Sequence, residues 1–175
     1  VEPQDSYIKA IRAAIPDDGI LISGMTQMGY YSRTFYPVYE PKTFITSSYS
    51  GNLGYAFPTA IGAKVANPDK AVVALSGDGG FLFNSQELAT AVQHGINVVV
   101  VLFNDNAYGN VLRDQVNRFN GRAIGAELKN PDFMKLAEAY GARGVRVQGA
   151  ERLEAAIREA LAIDAPSLIE VPVEM

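Results

Sequence analysis

Two short polar turns carry the residue types best suited to chemistry in this sequence: Gly77-Asp78-Gly79-Gly80 and Asn104-Asp105-Asn106-Ala107-Tyr108-Gly109. Asp78 and Asp105 can both offer hard oxygen ligands to one cation. Magnesium suits such a set, because it takes few protein carboxylates, an octahedral shell and phosphate oxygens from its substrate. Gly79 and Gly80 let a phosphate approach the backbone closely, with N–H groups directed at it. A helix starting after each turn adds partial positive charge. The ligand that these parts match is a magnesium-bridged diphosphate. Either turn alone is commonplace, since Gly-Asp-Gly is a frequent turn and Asn-Asp-Asn a routine cap. The pairing is what points to a site: each turn closes an apolar run, and one helix separates the runs.

The rest of the composition narrows the chemistry. The chain has 175 residues, 48% hydrophobic and 19% charged, the balance of one globular domain spanning residues 1–175. Cysteine is absent, which removes disulfides, thiolate zinc sites, iron–sulfur ligation and a cysteine nucleophile, and leads us to expect a cytoplasmic protein. The net charge of -4 has no clustered Lys and Arg behind it, so no nucleic-acid partner is expected. No apolar run is long enough to span a bilayer. His94 is the single histidine. It falls at the end of an expected helix, where a cation suits the dipole, and is read as structural. The opening Val1-Glu2-Pro3-Gln4-Asp5 is neither a signal peptide nor an initiator methionine, so the chain is expected to belong to a longer polypeptide.

Strand-like and helix-like segments alternate, the pattern of a parallel α/β sheet. Ile8, Ile11 and Ile15 keep helical spacing, with Asp5 as the expected cap and Gly19 as the stop. Ile20 to Ser23 and Thr43 to Thr46 read as short strands. Tyr55 to Ala66 reads as a helix with Pro58 in its first turn. Ala71 to Leu75 is a strand running into the first turn, and Asn84-Ser85-Gln86-Glu87 has capping-box spacing for the next helix, stopped by Gly95. Asn97 to Phe103, with four consecutive valines, belongs in the middle of a sheet covered on both faces. Asn130-Pro131 opens a helix closed by Gly141. Val145 to Val147 and Leu168 to Val171 are the last strands, with a helix over Glu151 to Ala162 between them. Residues 118–129 are the least regular stretch and are expected to form a mobile loop. Ligands of open parallel sheets bind beyond the carboxyl ends of the strands, which is where both polar turns fall.

The run Gly51-Asn52-Leu53-Gly54-Tyr55-Ala56-Phe57-Pro58-Thr59-Ala60-Ile61-Gly62-Ala63, then Gly77-Asp78-Gly79, then Asn104-Asp105-Asn106, resembles the C-terminal domain of thiamine-diphosphate (ThDP) enzymes. The group is that of acetolactate synthase, benzoylformate decarboxylase and pyruvate oxidase. Its signature is Gly-Asp-Gly followed, after somewhat under thirty residues, by Asn-Asn. Asp105 stands 27 positions after Asp78. The resemblance covers nearly the whole chain and implies a three-layer α/β/α fold around a mostly parallel sheet of about six strands.

Carried over by position, the resemblance implies Mg2+ ligands from the Asp78 and Asp105 side chains and the Ala107 carbonyl. Gly79, Gly80 and Tyr108 would hold the diphosphate, with Gln27, in a turn beside Thr26 and Met28, touching it. Gly51 would accept from the aminopyrimidine amino group. Leu53 would wedge the two cofactor rings into a bent shape that brings the cofactor's own imino nitrogen near the carbon to be deprotonated. Two departures stand out. Asp105 replaces the usual Asn and adds a negative charge. The tryptophan typical of acetolactate synthases after the second motif is missing from Val111-Leu112-Arg113-Asp114-Gln115 and from the chain.

The resemblance further implies a small 2-oxoacid substrate and an activating glutamate on a pyrimidine-binding domain elsewhere in the enzyme, so that this chain is incomplete alone and contains no catalytic residue of its own. Glu87 reads as a capping residue instead. A homo-oligomer is expected, because a domain of this kind presents a surface meant for a partner. Tyr30, Tyr31, Tyr36 and Tyr39 suit an interface or a substrate mouth as well as plain packing, and Arg113 and Arg118 are candidates to meet a substrate carboxylate. Three other readings stay open: a separate subunit of a split ThDP enzyme, an α/β phosphohydrolase, and a non-catalytic assembly domain. The phosphohydrolase lacks its Asp-x-Asp nucleophile before Asp78.

Overall fold

Four strands are almost wholly apolar, and this dictates the architecture. A strand with no polar face must be covered on both sides. The computed structural model describes residues 2–47 and 49–174, with Val1 outside them. Its strands are β1 (Ile20–Ser23), β2 (Phe44–Thr46), β3 (Val72–Gly77), β4 (Val99–Asn104), β5 (Arg143–Arg146) and β6 (Ser167–Pro172). The helices are α1 (Gln4–Ala14), α2 (Gln27–Phe35), α3 (Ala56–Ala66), α4 (Asp78–Leu82), α5 (Glu87–Gln93), α6 (Gly109–Arg118), α7 (Phe133–Tyr140) and α8 (Ala150–Leu161). All strand pairs are parallel, in the order β2-β1-β3-β4-β6-β5.

Side chains alternate across the sheet and divide the core in two. Val73, Leu75, Val99, Val101, Phe103, Ile169 and Val171 face a layer made by α1, α2 and α8. Ile20, Ile22, Val72, Ala74, Val100, Leu102 and Leu168 face α3, α4, α5 and α7. The result is the expected three-layer α/β/α domain with six strands. The order in which strands are added reverses between β1 and β3, with β2 on one side and β4 on the other: α2, which follows β1, covers one face, and α4, which follows β3, covers the other. Loops that leave neighbouring strands toward opposite faces open a crevice at the carboxyl rim.

Phe81 anchors that rim. It is buried in α4 and packs against Phe57 and Phe133, with ring centroids 5.6 and 6.0 Å away. Burying such a ring stabilises by about 1.5–3 kcal/mol, so the glycine turn immediately before it is fixed by the core.

Several local expectations were wrong. Asp5 does not cap α1; Pro3 holds that position, and Asp5 pairs with Lys9 at 2.6 Å. The helix stops at Ala14, well before Gly19. The Asn84 capping box is not formed. Helix α5 starts at Glu87 without a side-chain cap, the Asn84 amide donates to the Gly54 carbonyl (2.6 Å), and Glu87 accepts from the Thr90 hydroxyl (2.8 Å). Helix α7 is capped by Asp132, whose carboxylate accepts from Met134 N and Lys135 N, rather than opened by Asn130-Pro131. Gly141 closes it in the left-handed conformation as expected. Helix α2 was not anticipated, because Gly29 and the aromatic residues around it hide the helical period. That glycine is required: a β-carbon there would collide with the Gly24 carbonyl oxygen. Among the described residues no helix is long and apolar enough to cross a membrane.

Candidate functional site

The register brings the two polar turns together. Gly77, the last residue of β3, lies opposite Phe103 of β4, so Asp78 and Asp105 leave adjacent strands at the same rim. Asp78 becomes the first residue of α4 and is almost completely buried. The backbone N–H groups of Gly79 and Gly80 lie in the first turn of that helix, where they have no intrahelical acceptor. Asp105 accepts from the Ala107 N–H (3.2 Å) and Asn104 from the Asn106 N–H (3.1 Å), with Asn106 at φ 56°. These two side chains bend the turn that leads into α6.

The two carboxylates sense each other. Burial, and after it the charge of Asp78, push the Asp105 carboxyl up to about 6. Both groups are partly or wholly withdrawn from water, and among the described residues neither has a salt-bridge partner, an arrangement that favours a bound cation. Among the described residues no cluster of three or more His, Cys, Asp or Glu side chains exists. Two carboxylates and a carbonyl leave an octahedral shell open to water and phosphate oxygens, which fits Mg2+ carried with a diphosphate.

A cavity of about 290 Å³ opens over the two turns, and Gln27, Gly51, Leu53, Asp78, Gly79, Gly80, Asp105, Ala107 and Tyr108 all line it. Every residue that the sequence nominated for cofactor or metal is therefore in one place. Gln27 comes from the first turn of helix α2 rather than from a simple turn. Leu53 is 38% exposed and belongs to a loop whose glycines, Gly51 and Gly54, take φ of 61° and 79°. Helix α2 is held against the rim by buried hydrogen bonds from the Ser23 hydroxyl to the Gly29 carbonyl (3.1 Å) and between the Ser23 and Ser32 hydroxyls (2.8 Å).

Other nominated residues lie elsewhere. Among the tyrosines, Tyr30 lines the cavity, whereas Tyr36 and Tyr39 flank the Arg12 guanidinium at 5.0 and 5.2 Å. Arg113 hydrogen-bonds Asn110, and Arg118 pairs with Asp114 at 3.7 Å; neither lines the cavity. His94 caps the C-terminus of α5 and borders an open depression at the opposite, amino-terminal end of the strands. That depression is larger, about 840 Å³, but it has none of the paired turns.

Asn130 is the residue that the sequence reading missed. Its side-chain amide donates to Asp78 Oδ2 (2.6 Å), to Asn104 Oδ1 (2.9 Å) and to Asn106 Oδ1 (3.3 Å). Asn-Pro-Asp resembled an ordinary helix start. The available signal was redundancy: Asp132 suffices as the cap, which leaves Asn130 for another task. The irregular segment that carries it is tied to the second turn by Tyr108 N to Ala126 O and Leu128 N to Asn106 O, both 2.7 Å, and by an isolated bridge between Ala107 and Glu127.

Residues 24–171 match the family model described as thiamine pyrophosphate enzyme, C-terminal TPP binding domain. The probable acetolactate synthase large subunit of Methanococcus aeolicus is 33% identical over 180 residues, covering 99% of this chain and 30% of that protein. The acetolactate synthase of Bacillus subtilis is 35% identical over 167 residues, covering 95% and 29%. Among solved structures, the thiamine diphosphate-dependent 4-hydroxybenzoylformate decarboxylase of Rhodococcus jostii RHA1 superposes with a TM-score of 0.87 at 34% identity, over 98% of this chain and 32% of that one. The chain thus spans about a third of the length of these relatives.

Proposed function

This chain belongs to the thiamine pyrophosphate enzyme family, as its C-terminal TPP binding domain, and from that premise we propose that it binds ThDP through Mg2+ in a 2-oxoacid decarboxylase or carboligase. It forms a single domain, residues 1–175, and works with a pyrimidine-binding domain that supplies the activating glutamate. When bound, ThDP supplies the electron sink for cleavage beside a 2-oxoacid carbonyl. The chain's own residues bind and orient. Asp78, Asp105 and the Ala107 carbonyl hold the metal. Gly79, Gly80, Tyr108 and Gln27 hold the diphosphate, Gly51 accepts from the aminopyrimidine, and Leu53 sets the bend between the rings.

The observation that supports this reading is the convergence of both polar turns on one cavity, with two neighbouring carboxylates that have no salt-bridge partner among the described residues. Incompleteness has separate support. Helix α6, beside the cavity, has no buried residue, and Val111, Val116, Phe119 and Ile124 are exposed along and just beyond it, Ile124 by 84%. Apolar side chains gathered at a site mouth suit a partner domain or second subunit, and we assign the missing glutamate and the homo-oligomer contact to that side.

Isothermal titration of the intact protein with ThDP and Mg2+ tests the reading. Binding should require both ligands and should weaken by at least about 10- to 100-fold in Asp78→Ala. Metal-dependent binding that survives Asp78→Ala unchanged overturns the metal assignment.

A further inference from the structure

Glu170 of β6 is buried (2% exposed) and lies on the opposite side of β4 from β3. Its Oε2 accepts from Arg146 Nε and its Oε1 from Asn104 Nδ2, both at 2.8 Å. Arg146 has donors only, so the atom of residue 170 that faces it must accept. A carboxylate has a second acceptor to offer, and Asn104 turns its nitrogen to it. Asn104 is fixed from its other end as well. Its Oδ1 accepts from the Asn106 backbone N–H (3.1 Å), a donor that cannot turn round. The same Oδ1, with Asp78 Oδ2 and Asn106 Oδ1, surrounds Asn130 Nδ2 at 2.9, 2.6 and 3.3 Å. Three acceptors around one atom make that atom the amide nitrogen, which settles an assignment otherwise open to a flip. Asn130 Oδ1 is buried without a partner among the described residues, so it is the three acceptors that hold the amide this way round. Each amide in the series passes a direction on to the next.

We infer that Glu170 is a positioning residue for the cofactor site: from outside the cavity it sets, through Asn104, the direction of the hydrogen bonds that fix both polar turns. The inference rests on the reading of those turns as the ThDP site. Glu170 itself does not line the cavity. What matters is that both of its oxygens accept. Glutamine has the same size but one acceptor and one donor. With Arg146 claiming the acceptor, Glu170→Gln aims an amide N–H at the Asn104 nitrogen. Turning Asn104 over only moves the conflict, because its nitrogen would then face the Asn106 N–H and the Asn130 nitrogen. A buried donor left without an acceptor is destabilising by more than a hydrogen bond normally contributes. That mismatch falls on the Asn104–Asn106 turn and on the bridge from Asn130 to Asp78. Removing Arg146 resolves it. The glutamine amide can then turn, giving its oxygen to Asn104 and its nitrogen to water, since the Arg146 side chain is 48% exposed. A second substitution should therefore repair the first.

The test is calorimetric titration of ThDP with Mg2+ into the intact protein, comparing Glu170→Gln, Arg146→Met and the two combined, with circular dichroism and urea midpoints to check the fold. Glu170→Gln should weaken ThDP binding by about tenfold or more. Arg146→Met keeps the carboxylate and the direction it imposes, and affinity should stay within about threefold of the parent. The combined variant should recover to within about threefold of Arg146→Met. In an Asn104→Leu background, Glu170→Gln should add less than about twofold, because the link it acts through is gone. A merely structural Glu170 gives the opposite pattern: the losses add, the combined variant binds no better than Glu170→Gln, and the effect persists without Asn104. Either of the last two results overturns the inference, as does unchanged affinity in Glu170→Gln. If the parent binds no ThDP with Mg2+, the cofactor reading fails separately. The urea midpoints of the same variants then decide the relay: a combined variant more stable than Glu170→Gln upholds it, and no recovery overturns it.

Discussion

The ring of Tyr108 lies directly over Gly79: a β-carbon on the glycine would stand 2.7 Å from Tyr108 Cδ1 and closer still to Cε1. The two sequence motifs are therefore interlocked, one supplying a stretch of helical backbone without a side chain and the other the ring that rests on it. Gly79→Ala must displace either the tyrosine or the N–H groups beside it. We expect the folded state to persist, because the flanking Phe81 anchor is untouched, and ThDP affinity to fall by about tenfold or more, equivalent to about 1.4 kcal/mol. Calorimetric titration checks this. Unchanged affinity would mean that Tyr108 swings aside freely.

Asp105 gives the cofactor-free protein a pH signature. Its folded value is raised to about 6 from 3.8, by burial first and the Asp78 charge second. A carboxyl raised by folding stabilises the native state while protonated, and that contribution is lost as pH climbs from about 4 through about 6. The thermal midpoint of the cofactor-free protein should therefore decline over that window relative to Asp105→Asn, in which the other titrating groups are shared. In the proposed metal role of Asp105, Mg2+ with ThDP needs the ionised form, so binding should release a proton and strengthen with pH up to about 6. A midpoint difference that is flat with pH would remove the charge conflict between Asp78 and Asp105 from the account.

The architecture was legible because the strands announce themselves. Val98 to Val101 and Leu168 to Val171 have no polar residue that could face water except Glu170, and that exception turned out to be held by Arg146 and Asn104. Most of the candidate site was legible because Asp78, Gly79, Gly80, Asp105, Ala107 and Tyr108 cluster in two short runs at strand ends, whereas Gln27, Gly51 and Leu53 come from other segments. What escaped was set by distance in the chain. Nothing local in Asn130 reports that Asp78 lies 2.6 Å away across the fold. Asn84 and Glu87 had the right spacing for a cap, but tertiary contact with Gly54 claimed the Asn84 side chain. Helix α2 was hidden for a related reason: Gly29 lowers helix propensity, and only the nearby Gly24 carbonyl explains why no other residue fits.

Tyr36 offers a test of the layer remote from the site. Its hydroxyl is buried and finds no hydrogen-bond partner among the described residues. Burial pushes it up to about 12, against a smaller lowering by Arg12. The unfolded tyrosine loses its proton near pH 10 while the folded one retains it, so stability should fall as pH rises from about 10 to about 12, by as much as ~3 kcal/mol. Tyr36→Phe should be within about 1 kcal/mol of the parent at neutral pH, since no hydrogen bond is lost. It should also flatten the alkaline decline. Urea midpoints near neutrality and near pH 11 decide it, and an equally steep decline in the Phe variant would assign the alkaline lability to another group.

Leu53 separates a cofactor-facing role from a packing role. Its loop is braced on both sides: the Gly54 carbonyl accepts from Asn84 (2.6 Å), and a β-carbon at Gly54 would meet Phe83 Cβ at 2.8 Å. Held this way, the leucine stays 38% exposed at the cavity, close enough to α4 that a β-carbon at Gly80 would lie 3.8 Å from its Cδ2. A side chain so placed contributes little to the core. Leu53→Ala should cost less than about 1 kcal/mol of stability, against about 2–5 kcal/mol for Leu75→Ala in the fully buried β3. If Leu53 has the wedge role proposed above, the same change in the intact enzyme should lower kcat more than it raises KM, because the bend between the cofactor rings would matter during turnover and not for capture of the substrate. Leu53→Met, similar in volume and apolar, should recover most of the rate. If Leu53→Ala instead unfolds as readily as Leu75→Ala and turns over normally, the residue is part of the core and the wedge must be sought elsewhere.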